Sequence, residues 1–148
     1  MKAGYFFMLL GVLIVSACSK SEEIYSNNDG VAINGYDAVA YFTDNTHVEG
    51  STAFEYKWKG ATWRFSDEQH LNEFMSEPEK YAPQYGGYCA FGLSNGYKAP
   101  TSPDAWTIVD GKLYLNYNKD VRGEWLPNKD QRIVKADSNW RAIRFNPM

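Results

Sequence analysis

With 148 residues, a formal charge of −3 and only 2 Cys and 2 His, the chain has room for one domain and too few thiols for a disulfide scaffold or a four-ligand zinc site. Its mildly acidic balance argues against a nucleic-acid partner, because phosphate binding needs clustered Lys and Arg. The hydrophobic content of 44%, with 16% aromatic residues, is enough to build a core and excludes a chain disordered throughout.

Residues 1–17 read as a secretion signal. Lys2 supplies a positive start, and residues 5–15 (YFFMLLGVLIV) form an apolar run too short to cross a bilayer core of about 30 Å. The run ends at Val15-Ser16-Ala17-Cys18, which resembles a bacterial lipobox: small residues before a cysteine that is acylated and becomes the first residue of the mature chain. This predicts lipid attachment at Cys18 and a place in the bacterial cell envelope. Ser19 and Lys20, rather than Asp, follow the cysteine, so in a Gram-negative cell the expected place is the periplasmic face of the outer membrane. More than one acyl chain makes such anchoring stable. Residues 18–30 are polar and are expected to be a flexible tether, leaving residues 31–146 as the folded domain.

Within that domain, Asn34-Gly35 signals a turn, and Tyr36, Val39 and Ala40 share helical spacing, which predicts a short helix over 36–42. Residues 54–58 alternate as a strand, Lys59-Gly60 turns, and residues 61–65 return to make a hairpin. Ser66 is a good N-cap, Gln69 completes a capping box, and Leu71, Phe74 and Met75 form an apolar stripe, so 67–76 is read as a helix. Pro78 ends it or opens a further turn through Tyr81. Residues 84–96 are rich in glycine and aromatics. Residues 106–109 and 112–117 make a second hairpin about Asp110-Gly111, a dipeptide suited to a type I′ turn. Asn118 caps a helix over 119–126, and residues 129–145 form a last one with Ile133, Ala136, Trp140 and Ile143 on one face. The predicted class is α+β: small antiparallel hairpins packed with short helices and a C-terminal helix.

The stretch from Trp58 through Gly92, with its hairpin, its helix and its Pro78-Glu79-Lys80-Tyr81 ending, resembles the YHS domain. A longer likeness, to secreted single-domain YHS proteins of bacteria, adds Asn34-Gly35-Tyr36-Asp37 upstream. Downstream it takes in Tyr85-Gly86-Gly87-Tyr88-Cys89, Trp106 to Tyr117, and Lys135-Ala136-Asp137 with Asn139-Trp140. The resemblance implies a metal role, since short YHS domains occur in copper-transporting ATPases and other heavy-metal proteins, where a Phe-Cys-x-x-x-Cys stretch opens the helix. Here the matching positions are Phe65, Ser66 and His70, so both of those thiols are missing.

Beyond the resemblance, the candidate ligands are Cys89, His70 and Met75. A Cys89 thiolate would suit Cu(I) or the iron of a haem, and as a buried thiol it would be plain packing. His70 sits one residue off the apolar stripe, with Asp67 and Glu73 near its face; His47 falls in a polar loop. Tyr36, Asp37, Tyr85, Gly86, Gly87 and Tyr88 are candidates to line a pocket for a planar or apolar ligand, the tyrosines being equally suited to core packing. Asp37 reads as a first-turn helix acid or as a partner for backbone amides. No P-loop, Rossmann fingerprint, HExxH, EF-hand loop or Ser-His-Asp order occurs. The leading expectation is a non-enzymatic, membrane-tethered protein binding copper or a small cofactor such as haem. The alternatives are an envelope interaction module that docks a partner protein, with Cys89 as packing, and a redox enzyme with a bound cofactor.

Overall fold

A computed structural model of the chain describes residues 22–148; residues 1–17 and Cys18, the expected signal and lipid site, lie outside the described residues. Short elements follow one another in the order α1 (Ala40–Thr43), β1 (Ser51–Trp58), β2 (Ala61–Phe65), α2 (Glu68–Ser76), α3 (Pro78–Tyr81), α4 (Ala90–Ser94), β3 (Trp106–Val109), β4 (Lys112–Leu115), α5 (Lys119–Trp125) and α6 (Lys129–Ile143). The class is α+β, as expected, with β1 and β2 forming one antiparallel hairpin and β3 and β4 another.

Both hairpins owe their register to turn chemistry. Lys59 and Gly60 have φ of 49° and 73°, and Asp110 and Gly111 have φ of 50° and 73°, the paired left-handed residues of a type I′ turn, whose twist matches that of the flanking strands. The β1–β2 ladder runs from Trp58↔Ala61 to Glu55↔Arg64 and then shifts before Ser51↔Phe65.

The core has two parts that share β4. Leu113 and Leu115 enter a cluster with Trp63, Phe65, Phe74 and Tyr41, while Tyr114 points to a second cluster with Tyr85, Tyr88, Leu93, Trp125 and Ala136. Alternation along a strand sends successive side chains to opposite faces, so one short strand ties the two halves together. Phe74 is the hub of the first cluster. Its ring lies 5.0 Å from those of Trp63 and Phe65, and 5.7 Å from that of Trp58.

Three expectations are corrected. The helix read over 36–42 is confined to Ala40–Thr43, and Tyr36 instead bridges to Glu49. The cap of α2 is Asp67, whose carboxylate accepts the His70 amide, and Gln69 turns outward to Glu73; Ser66 is drawn away by a buried partner described below. The tether does not extend to Gly30. Residues 22–30 lie against the domain, with Ile24 only 2% exposed, the Tyr25 amide bonded to the Gly86 carbonyl at 2.9 Å, and the Tyr25 ring 5.7 Å from that of Tyr88. An apolar residue placed between polar ones, Ile24, gives this arm its grip.

Candidate functional site

Few polar side chains are buried, and two of them meet. Asp37 is fully buried and His70 is 6% exposed. They are 33 residues apart in sequence, yet the His70 Nδ1 lies 2.7 Å from the Asp37 Oδ2. Asp37 follows the Ile33–Gly35 turn, where three successive residues have positive φ and swing the chain inward. Its Oδ1 accepts the amides of Val39 and Ala40 at 2.9 and 3.2 Å, which starts α1. Its Oδ2 accepts the Ser66 amide at 2.8 Å and the Ser66 hydroxyl at 2.7 Å. One carboxylate thus takes five hydrogen bonds and fastens α1, the end of β2 and α2 together.

His70 reaches this carboxylate because it stands four residues before Phe74, on the same inward face of α2. Its other nitrogen points toward the surface: Nε2 lies 3.1 Å from the Thr43 hydroxyl and 3.9 Å from the Asp44 carboxylate. Burial pulls the imidazole pKa down, but the Asp37 hydrogen bond and the charges of Asp37, Asp67 and Asp44 outweigh it and hold the pKa above the ordinary histidine value. A carboxylate on Nδ1 fixes the tautomer and leaves Nε2 to act outward, the arrangement by which proteins orient metal-binding and proton-transferring histidines.

The other candidates are dispersed. Cys89 is 2% exposed. Its thiol donates to the Asn116 Oδ1 at 3.5 Å, and burial pushes its pKa up, so it packs as a protonated thiol rather than offering a thiolate. Met75, expected on the inward stripe, is 47% exposed, because the inward face of α2 is set by His70 and Phe74. Cys89, His70 and Met75 therefore do not form one cluster, and among the described residues no group of three or more His, Cys, Asp and Glu is placed to hold a metal ion. His47 is exposed, its ring 6.0 Å from that of Tyr36.

The six residues expected to line a pocket also separate. Asp37 belongs to the His70 site. Gly86 and Gly87 serve close packing: a Cβ on Gly86 would lie 1.8 Å from the Glu23 carbonyl oxygen, and one on Gly87 would lie 2.5 Å from the Ile33 Cγ2. Tyr85 bonds Asp137 at 2.8 Å, and Tyr88 donates to the Glu22 carbonyl at 3.2 Å. The cleft beside Tyr85 and Gly86 holds about 120 Å³ and is crossed by Lys59, paired to Glu23 and Glu79 at 3.2 and 3.3 Å. Two larger clefts hold about 290 and 300 Å³, the lower end of cofactor-sized pockets; the first is lined by Val109, Tyr114 and Ile133 with charged neighbours, the second by Asn, Gln, Arg and Lys. Neither the small cleft crossed by Lys59 nor the polar one of about 300 Å³ offers the apolar slot that a haem would need.

The pair that sequence reasoning missed is Asp37 with His70. Its signal was present: Asp37 is the one charge in the apolar run 31–42, and His70 shares a helix face with Phe74. No curated protein and no solved structure matches the chain. The YHS domain family does match, over residues 39–85, a segment that includes Thr43, Ser66 and His70 and stops short of Cys89. Residues 39–85 of the chain are thus similar to the YHS domain.

Proposed function

We propose that this chain is a lipid-tethered YHS protein of the bacterial cell envelope that binds a divalent transition-metal ion at His70, with Asp37 as the positioning carboxylate. The observation that supports this most is the buried Asp37–His70 contact of 2.7 Å, with Nε2 facing surface oxygens. The donors at that end are one imidazole nitrogen and, after a small movement of the exposed Thr43 and Asp44 side chains, a carboxylate. This nitrogen and oxygen set suits Cu(II) or Zn(II); Cu(I) prefers the soft thiolate that buried Cys89 does not present. Two protein donors leave the remaining positions to water, which fits an ion passed on to another envelope component rather than stored.

The test is titration of the purified full chain, without a histidine tag, with Cu²⁺ or Zn²⁺ alone, followed by calorimetry and, for copper, by electron paramagnetic resonance. Binding near one equivalent is expected, with a nitrogen ligand in the copper spectrum. Binding should be lost in His70→Asn, weakened about 10- to 100-fold in Asp37→Asn, as for other carboxylates behind a ligating histidine, and unchanged in Cys89→Ser. Equal binding by His70→Asn refutes the assignment.

A further inference from the structure

The described chain begins at Glu22, and what surrounds that point differs from the rest of the surface. The Lys98 ammonium bonds the Glu22 carbonyl at 2.5 Å and, on its other side, the carbonyls of Arg144 and Asn146 at 2.8 and 2.5 Å. The start of the arm and the end of the chain are thereby fastened side by side. Beside this junction lies a groove lined by Tyr97, Lys98, Ile143, Pro147 and Met148. Tyr97, Phe145 and Met148, at 50%, 64% and 64% exposed, are three of the six large apolar side chains exposed among the described residues. Residues 141–148 (RAIRFNPM) carry two arginines and no acid, and the Arg144 guanidinium lies 4.7 Å from the centre of the Phe145 ring.

We infer that this face, Tyr97, Phe145 and Met148 with Arg144, rests on the surface of an anionic lipid bilayer. The inference depends on the reading of Cys18 as the lipid-bearing residue. Three residues lie between Cys18 and Glu22, and the four chain steps cover at most about 3.6 Å each when extended, so an acyl anchor at Cys18 holds Glu22 within about 14 Å of the membrane. The arm is packed against the domain rather than loose, so such an anchor keeps this end of the domain close to the membrane. Aromatic and long apolar side chains beside arginine are the residues that settle at a bilayer interface, rings at headgroup level and guanidinium groups toward phosphate. Among the described residues no helix is long and apolar enough to cross a membrane, and this face needs only to lie on one. The His70 site belongs to the other core cluster, whose aromatics are not part of this patch.

The experiment uses the full chain, produced with its own N-terminal segment in a Gram-negative host, purified from membranes and reconstituted in phosphatidylethanolamine–phosphatidylglycerol vesicles containing headgroup-nitroxide lipid. A fluorophore is placed at Asn146→Cys, and in separate proteins at Val134→Cys and Met75→Cys; buried Cys89 does not compete for label. Mass measurement reports whether Cys18 is acylated. The expected result is an acylated chain whose label at 146 is quenched while labels at 134 and 75 keep their intensity, and loss of that quenching in a Tyr97→Ser, Phe145→Ser background with the fold intact by circular dichroism. An acylated chain with equal quenching at all three positions, or with quenching at 146 unaffected by the two serines, overturns the docking face alone. A chain with unmodified Cys18 overturns the tether reading, and the docking face with it.

Discussion

Replacing Asp37 with Asn is the sharpest probe of the buried pair, because the two side chains have the same shape. The amide oxygen can keep the Val39 and Ala40 amides. The amide NH₂ then stands where Oδ2 was, against the Ser66 N–H at 2.8 Å, and two donors face each other. The Ser66 hydroxyl can rotate to accept, and His70 can switch tautomer, but the Ser66 amide cannot reverse. Losing one member of a buried charge pair costs about 3–5 kcal/mol, which includes the about 1–3 kcal/mol for a buried donor left without an acceptor. Against a domain stability of about 5–15 kcal/mol that is a large fraction, and for a domain of this size it corresponds to a fall in Tm of about 12–20 °C. Urea unfolding at pH 6, followed by fluorescence of the five tryptophans, measures it directly. Adding His70→Asn to the Asp37→Asn background should cost much less than His70→Asn alone, since the two share one interaction. A loss under about 1 kcal/mol for Asp37→Asn, within the range of an ordinary hydrogen bond, would show that the carboxylate does not fasten the three elements.

The remaining predictions concern pH, the thiol and the glycine pair. The folded-state pKa of His70 lies above its unfolded value, so its contribution to stability is complete below the ordinary histidine pKa of about 6.5 and is lost as pH rises through the folded pKa; urea midpoints should fall over that window in the native chain and stay flat across it in His70→Asn. Cys89 should not react with Ellman's reagent in the native protein and should react at once in urea, and rapid native labelling would refute its burial. Gly86→Ala, at φ of 62° and with its Cβ driven into the Glu23 backbone, should displace the arm and expose residues 22–26 to protease. Gly111→Ala, at φ of 73° but with open space around it, should carry only the backbone strain, about 1 kcal/mol, and leave the arm protected.

What the sequence made legible was local. Asp110-Gly111, Lys59-Gly60 and the Asn118 cap act within a few residues, and each was recognised from its neighbours alone; the Asn118 side chain does accept the Val121 amide at 2.8 Å. The errors arose where a distant partner outbid a local one. Ser66 satisfied every rule for an N-cap, but Asp37, 29 residues earlier, takes both its hydroxyl and its amide, and the cap passes to Asp67. Met75 fitted the apolar stripe as well as Phe74, yet only one side of α2 meets the hairpin, and the packing chose the side that carries His70. Residues 22–30 looked like tether because their composition is polar; a single Ile24 with a row of backbone hydrogen bonds is too small a signal for composition to register. The glycine pair read as room for a ligand and is room for the protein's own backbone.

The arm that crosses Gly86 also sets an order of events. Its partners at Gly86, Tyr88 and Lys98 lie more than 60 residues downstream, and contacts of such span form late because a long loop must close first. A chain made from its N-terminus presents the arm with its near partners, Val31 to Ile33, well before Gly86, Tyr88 and Lys98 exist. The arm can therefore pair locally at once, but its seat over the glycine pair, and with it the burial of Ile24 in the first cluster, waits for the distant partners. The first part of the domain to be made in this way reaches its full set of native contacts only after Lys98 is in place.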